Sequence, residues 1–317
     1  MVNMQHPNRP HIPTASGVDI ALWDIVGKVL GKPVSKICRG QFRDEIPIYV
    51  NVFPPTDYRN NTSCRDWARK IVEHPLGFKA VKMEFSTLFQ QNSRKNDTYV
   101  AHAHRTIKPS ELEKIRSLYE NCREALDPSI DIIVHCHNEY DLTSAIGIAK
   151  AVERIKPLWL EDPLPILYTD SWKSLKESVD VPILTGEKLE LAREFLPFLE
   201  NGIVDLMQPD IIFAGGYTGS WRIAELCDMF HVPVTAHNIG SVVQIAATAQ
   251  FAASTKNFMM SETTMNLGQK YMHEGIIEET LVVKDGMLQV PDGPGLGITV
   301  REEAIKRELP DGEPFWD

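Results

Sequence analysis

Short apolar runs recur along the chain, and each is followed by a turn and then by a segment with apolar residues three and four positions apart. Eight such runs are predicted strands, at residues 46–52, 77–84, 130–136, 158–162, 181–187, 203–210, 232–237 and 258–262. The intervening segments include predicted helices at residues 144–155, 217–230 and 241–254. Because the runs are continuously apolar, they are typical of parallel strands covered on both faces. The pattern predicts an α/β fold with an eight-stranded barrel.

An ionisable residue ends six of the predicted strands. These residues are His135, Glu161, Glu187, Asp210, His237 and Glu262, and they are separated by 26, 26, 23, 27 and 25 residues. In a parallel barrel the carboxyl ends of all strands meet at one rim, where active sites are built. One such residue alone is more often a helix cap or a solvated loop residue. Six in register favour a shared cavity.

One interval between strand ends is about twice the repeat, with 51 residues from Glu84 to His135. The excess is the polar stretch 86–110, which is either a lid over the rim or a disordered insertion.

The segments outside the barrel also have distinct patterns. Residues 16–34 are predicted to form one amphipathic helix with Ser16 as its N-cap, and residues 285–300 a turn-rich extended tail. We therefore expect three units. They are an N-terminal segment with its helix (1–45), the catalytic barrel (46–270) and an extended C-terminal tail (271–317).

Composition narrows the class of protein. The net charge of −10 argues against nucleic acid or an anionic membrane as the main partner, because both need clustered Lys and Arg. The five cysteines are scattered and odd in number, which disfavours a disulfide framework. The sequence shows neither a signal-peptide pattern nor a long apolar run. We expect a soluble, cytoplasmic protein with a small-molecule ligand.

Several segments together resemble the mandelate racemase and muconate-lactonising branch of the enolase superfamily, from about residue 15 to about residue 305. They are SGVDIALWDIVGKVLGKPV, GFKAVK, LWLEDPLP, VPILTGEKL, DLMQPDIIFAGG, TAHN and DGMLQVPDGPGLGI. The HCH at 135–137 is similar to the acid-x-His strand end of the galactonate dehydratases, and His237 matches their base. The resemblance implies a TIM-like (β/α)7β barrel, a divalent metal, an acid-sugar ligand and a homo-oligomer.

The resemblance implies that Glu161 and Glu187 bind the metal, with His135 at the place where the family has an aspartate. Imidazole in place of carboxylate removes a negative charge and adds a nitrogen donor. The expected cofactor is Mg²⁺, with Mn²⁺ or Zn²⁺ as alternatives. Three alternatives follow from His135. The enzyme uses a different or more weakly bound metal, or the metal lies in a shifted position, or the site is degenerate and no longer catalyses the reaction. Because imidazole binds metal only when deprotonated, metal affinity should fall below pH roughly 6.5.

The resemblance also implies roles in proton transfer. Asp210 and His237, at the ends of neighbouring strands, are expected to form a dyad with His237 as general base. His137, two residues beyond His135 and hence expected on the same side of the strand, is the implied general acid. Taken alone, a histidine is more often a packed or surface residue.

Two further residues are implied to contact the substrate carboxylate. Lys82 would assist in neutralising its charge, and Glu262 would hydrogen-bond to it. Relatives with a lysine base carry a second lysine where Glu84 stands, so we expect His237 to be the single base.

The preferred interpretation is an acid-sugar dehydratase that yields a 2-keto-3-deoxy acid. A racemase or epimerase of a related acid, and a catalytically inactive binding barrel, are the alternatives. The family carries an N-terminal capping domain, which we expect to be largely missing here. Either the chain is a fragment, or its start lies downstream of the true one, or the loop at 86–110 does part of the covering.

Overall fold

The computed structural model describes residues 11–86, 88, 106–263, 275–309 and 312–315. Most of the polar stretch 86–110, namely residues 87 and 89–105, lies outside this set, so neither alternative for it is tested. Within it, no helix has both the length and the apolar character needed to cross a bilayer.

Eight parallel strands close into a barrel, in the order β2-β3-β4-β5-β6-β7-β8-β1 with β1 also paired to β2. They are β1 Glu45–Val52, β2 Ala80–Glu84, β3 Asp131–His135, β4 Leu160–Glu161, β5 Ile183–Thr185, β6 Leu206–Met207, β7 Val234–Ala236 and β8 Phe258–Thr263. Each overlaps a predicted strand. The predicted α/β barrel is confirmed.

A helix follows each of the first seven strands, which makes the architecture (β/α)7β. These helices are α3 Asn61–Val72, α4 Pro109–Ala125, α5 Leu142–Val152 with a 3-10 turn at Glu153–Ile155, α6 Asp170–Ser178, α7 Leu191–Glu200, α8 Gly216–Met229 and α9 Val242–Ala253. Two helices precede the barrel, α1 His11–Leu30 and α2 Val34–Cys38, and α10 Glu302–Glu308 follows it.

Helix α1 packs against α8 outside the barrel. Trp23 stacks edge-on against Trp221 at 5.2 Å, and its indole donates to Thr218 Oγ1 at 3.3 Å. The predicted N-cap at Ser16 is wrong, since the helix begins five residues earlier and the Ser16 hydroxyl donates to the Ile12 carbonyl at 2.8 Å. Pro13 is tolerated there because first-turn residues need no helical N–H partner.

A two-stranded hairpin, β9 Val283–Lys284 and β10 Met287–Gln289, extends the sheet from the amino-terminal half of β1. Its turn residues Asp285 and Gly286 have φ of 53° and 77°, as a tight Asp-Gly hairpin requires. The hairpin packs at the end of the barrel opposite the carboxyl ends of the strands, so the latter remain the site-bearing end.

Buried apolar residues line the barrel interior. This inner cluster consists of Tyr49, Ala80, Ile133, Trp159, Leu184 and Leu206. A larger apolar cluster lies mainly between the strands and the helices. The interior is therefore filled, and space for a ligand lies at the rim.

Candidate active site

The residues singled out from the sequence come together at the carboxyl ends of the strands. Strand register places His135 beside Glu161, and an isolated bridge pairs Asp210 with His237. Six of them are buried: Lys82, Glu161, Glu187, Asp210, His237 and Glu262. His135 and His137 retain 11% and 28% of their side-chain exposure, which puts them at the entrance to the cluster.

Lys82 is held between two carboxylates. Its Nζ lies 2.7 Å from Glu161 Oε1 and 2.7 Å from Glu262 Oε1. Burial alone would lower the pKa of Lys82, but these carboxylates, with that of Glu187, outweigh it and raise the pKa above its usual value. Lys82 is a fixed cation, and this pairing was not foreseen from the sequence.

The Glu161 carboxylate has a partner on each oxygen. Lys82 binds Oε1, and the indole of Trp159 donates to Oε2 at 3.0 Å. Burial raises the pKa of Glu161 to about 7, even though Lys82 acts in the opposite direction. The Asn51 amide likewise donates to Glu262 Oε1 at 2.5 Å. Trp159 and Asn51 carry no sequence signal that distinguishes them from core and loop residues.

Glu187 directs its two oxygens to different partners. Lys188 Nζ lies 2.9 Å from Oε1, whereas Oε2 faces His135 Nε2 at 3.7 Å and His237 Nε2 at 3.4 Å. Burial would raise the pKa of Glu187, but the positive charges of Lys188 and His237 hold it well below its usual value. Glu187 is therefore a stable buried anion.

His135 Nε2 and Glu187 Oε2 are both buried, and neither has a hydrogen-bond partner within the described part of the chain. Burial and the nearby Lys82 hold the pKa of His135 well below its usual value, so its imidazole is neutral and offers a lone pair. Two facing buried acceptors without a hydrogen-bond donor are costly unless a cation or a donor binds between them. A divalent metal fits this arrangement.

His137 reaches the cavity by a different route from the one predicted. Strand β3 ends at His135, and both His137 and Asn138 take left-handed backbone angles, φ 60° and 62°. The argument from strand alternation therefore does not hold at this position. The turn nevertheless brings the ring of His137 within 5.1 Å of the His135 ring and its Nε2 within 3.7 Å of Glu187 Oε1.

Lys188 and Glu139 contact this turn. Lys188 donates to the His137 carbonyl at 3.2 Å and to Asn138 Oδ1 at 3.0 Å, which ties the turn to the end of β5. Glu139 Oε1 lies 3.3 Å from His137 Nδ1. Neither residue was singled out from the sequence, although Lys188 directly follows the predicted ligand Glu187.

Asp210 and His237 form a close pair, with Oδ2 2.7 Å from Nδ1. Gln244 donates to the other Asp210 oxygen at 3.0 Å, which fixes the carboxylate. Burial alone would lower the pKa of His237, but Glu187, Glu262 and Asp210 raise it to about 9. The free Nε2 of His237 faces Glu187 and Glu262, at 3.4 Å and 3.6 Å.

Among the described residues, two groups of three side chains bring one donor atom each to within 4.8 Å of one another. They are His135 with His137 and Glu187, and Glu84 with His137 and Glu139. Glu161 is in neither group. His135, Glu161 and Glu187 nevertheless share one cluster, since His135 Nε2 lies 3.6 Å from Glu161 Oε1.

Two curated relatives of this chain are sugar-acid dehydratases. The chain is 30% identical over 307 residues to D-xylonate dehydratase of Haloferax volcanii, covering 96% of this chain and 72% of that protein. It is 29% identical over 313 residues to D-gluconate dehydratase of Thermoproteus tenax, covering 95% of this chain and 58% of that protein.

A solved structure shares the fold. A mandelate racemase/muconate lactonizing enzyme-like protein from Rubrobacter xylanophilus superposes with a TM-score of 0.84 at 28% identity, over 96% of this chain and 79% of that one. The family model described as "Enolase C-terminal domain-like" matches residues 64–304. These matches confirm the resemblance drawn from the sequence, and the chain belongs to the enolase C-terminal domain-like family.

Proposed function

We propose that this chain is a hydro-lyase that dehydrates an acid sugar, removing the α-proton of a hydroxy-acid carboxylate and eliminating the β-hydroxyl as water. The observation that carries the proposal is the Asp210–His237 pair, whose free imidazole nitrogen faces the carboxylate cluster at the rim. The two curated relatives described above are dehydratases of D-xylonate and D-gluconate, which supports an acid sugar as the substrate class.

His237 acts as the general base. Asp210 accepts a hydrogen bond from Nδ1–H, so that in the neutral imidazole Nε2 carries the lone pair that takes the substrate's α-proton. A divalent ion on Glu187 would offset the negative charge that helps to raise the pKa of His237 to about 9, and so would favour this neutral form. The electron pair left on the α-carbon forms the double bond of an enol as the β-carbon–oxygen bond breaks. The hydroxyl leaves with a proton from an acid on the rim, and the enol rearranges to the keto acid.

A divalent ion would be held by His135 and Glu187, with Glu161 as the third ligand that the resemblance implies. When bound, it supplies positive charge against the negative charge that develops on the substrate carboxylate. Lys82, paired with Glu262, adds a fixed positive charge beside the same cluster. Glu262 is the residue that the resemblance implies for a hydrogen bond to the substrate carboxylate.

Two features favour elimination over racemisation. Racemisation needs an acid or base on each face of the α-carbon, whereas Lys82 is held as a cation by two carboxylates and cannot serve as a second base. Glu84 takes the place of the second lysine. The acid that the resemblance implies is His137, whose Nε2 faces Glu187.

The alternative of an inactive binding barrel is disfavoured by His135 Nε2 and Glu187 Oε2, which are buried without a hydrogen-bond partner among the described residues, an arrangement that a purely structural site has no reason to keep. A cytoplasmic location and a homo-oligomeric state remain predictions.

The test is a panel of acid sugars, including D-xylonate and D-gluconate, incubated with the protein and Mg²⁺, Mn²⁺ or Zn²⁺ and assayed for keto acid. In deuterated water, His237→Asn should abolish exchange of the α-proton, because the metal ligands remain but the base is gone. His231→Asn, a change to an exposed histidine, is the matched control. If no acid sugar reacts or exchanges with any of the three metals, the proposal fails.

A further inference from the structure

We infer that His137 completes the metal centre of this chain, so that the ion is held by His135, His137 and Glu187. Two imidazoles and one carboxylate form a set that takes Zn²⁺ in preference to Mg²⁺. The inference rests on the proposed function only in taking this rim as the metal centre, and it departs from the ligand set that the resemblance implies.

The three donors are already close to the spacing that a metal requires. His135 Nε2 lies 3.7 Å from Glu187 Oε2, and His137 Nε2 lies 3.7 Å from Glu187 Oε1. Donors bound tetrahedrally to zinc at about 2.1 Å are about 3.4 Å apart. The three donor atoms all lie within 4.8 Å of one another, so side-chain shifts of about 1 Å would bring them onto one ion.

Glu161 is less free to bind. Both of its oxygens have partners, Lys82 on one and the Trp159 indole on the other. A metal that took Glu161 would share its oxygen with Lys82 or leave Lys82 paired with Glu262 alone, and weakening the pairing of a buried ammonium is costly. By contrast, His135 Nε2 and Glu187 Oε2 are buried and have no hydrogen-bond partner in the described residues.

His137 also has the supporting partner that metal-binding histidines usually have. Such a histidine commonly donates its second ring N–H to a carboxylate, which fixes the tautomer and directs the other nitrogen at the ion. Buried Glu139 lies 3.3 Å from His137 Nδ1, and Nε2 is the nitrogen that faces Glu187. The left-handed turn after β3 therefore presents His137 in the orientation of a ligand.

The charges of the neighbouring lysines also favour a zinc-type ion over Mg²⁺. Lys82 and Lys188 already pair with Glu161 and Glu187, so a hard cation bound mainly by negative charge gains little here. A zinc-type ion gains from the imidazole nitrogens instead.

His237 remains outside this ligand set. Its Nε2 lies 3.4 Å from Glu187 Oε2, but His237 belongs to neither group of three clustered donors. It stays available as the base. With His137 on the metal, the imidazolium that His237 forms is the acid available to the leaving hydroxyl.

The test is metal binding by the full, metal-stripped chain. Competition with a chromophoric chelator measures the affinity for Zn²⁺, and calorimetry measures the affinity for Mg²⁺. The visible spectrum of bound Co²⁺ reports whether nitrogen atoms are ligands. We expect one Zn²⁺ per chain, bound more tightly than Mg²⁺. His137→Gln should weaken Zn²⁺ binding by at least about 100-fold and change the Co²⁺ spectrum, and Glu139→Gln should weaken it by about tenfold. His231→Gln is the matched control, and circular dichroism verifies the fold of each variant.

The ranking of variants decides the ligand set. Zinc affinity within twofold of wild type in both His137→Gln and His137→Asn would overturn the inference, as would a larger loss in Glu161→Gln than in His137→Gln. If the His137 variants keep the metal but lose turnover, His137 is the acid, and the proposed dehydratase stands without this inference. If the wild-type chain binds none of these ions at this rim, the inference fails regardless of any activity.

Discussion

The carboxylate of Asp210 lies 2.7 Å from Nδ1 of His237, and the neighbouring strand ends hold both residues in place through a backbone bridge. Because this hydrogen bond helps to raise the pKa of His237, Asp210→Asn should lower that pKa from about 9 and reduce kcat by about 10²- to 10⁴-fold. Histidine NMR titration of the metal-free protein and steady-state kinetics measure the two effects. Asp228→Asn, at a half-exposed carboxylate on α8, should change neither.

The raised pKa of His237 also makes the stability of the metal-free protein depend on pH. The usual pKa of 6.5 becomes about 9 on folding, so this imidazolium stabilises the fold fully below pH 6.5, and the stabilisation is lost as pH rises through about 9. The difference in unfolding free energy between wild type and His237→Asn should therefore shrink between pH 6.5 and about 9.5. Urea unfolding at both values measures it, and a constant difference would argue against the raised pKa.

Lys82 should matter more for stability than any exposed lysine. Lys82→Met leaves Glu161 and Glu262 buried without their shared cation, which should cost about 3–5 kcal/mol at neutral pH. Lys28→Met removes an exposed pair with Asp24 and should cost less than about 1 kcal/mol. Urea unfolding compares the two, and equal losses would mean that the buried triad contributes little.

Restoring a carboxylate at position 135 should change the metal preference. His135→Asp adds a hard anionic oxygen, so it should strengthen Mg²⁺ binding by at least about tenfold and reduce any preference for Zn²⁺. The sequence alone suggested that metal affinity would fall below pH roughly 6.5 through protonation of His135. Burial lowers the pKa of His135, so its contribution to such a fall should lie at more acidic pH.

Calorimetric titration of Mg²⁺ into wild type and His135→Asp at pH about 6 and about 8 tests this expectation. If wild type and His135→Asp bind Mg²⁺ with equal affinity at both pH values, His135 is not a ligand.

Two glycines of α1 offer a contrast within one helix. A Cβ on Gly27 would lie 2.5 Å from the Gly295 backbone, so Gly27→Ala should destabilise the protein by about 1–3 kcal/mol. A Cβ on Gly17 would meet no atom of another described segment within 4 Å, so Gly17→Ala should stabilise the helix by about 0.5–1 kcal/mol. Thermal and urea unfolding of both variants measure the difference, and a similar effect of the two changes would argue against the close contact of α1 with the C-terminal segment.

The barrel and the location of its rim could be predicted because continuous apolar runs and regularly spaced strand ends depend only on the order of residues. The start of α1 could not, because Ser16 is a good N-cap in isolation and only the structure shows its hydroxyl turned back to Ile12. The backbone conformation at His137 could not be predicted either. The turn after β3 is left-handed at His137 and Asn138, and no glycine in the sequence indicates it.

The pairing inside the site was equally hidden from the sequence. Lys82 and Glu161 are 79 residues apart, and their 2.7 Å contact depends on the geometry of two long side chains from strands that are not adjacent in the barrel. The hydrogen bond from Trp159 to Glu161 was hidden in the same way, because sequence patterns assign Trp159 to the core. Strand-end spacing predicts which residues meet, but not which oxygen of a carboxylate remains free.

The hydrogen bond from Trp159 to Glu161 makes the site optically observable. The indole is fully buried, and its only N–H points at a carboxylate whose charge should respond to any ion or substrate nearby. Intrinsic fluorescence of this tryptophan, isolated by replacing the other indoles with phenylalanine, should therefore shift when the rim is filled. The protein thus contains a built-in reporter of ligand occupancy, without an added dye and independent of turnover.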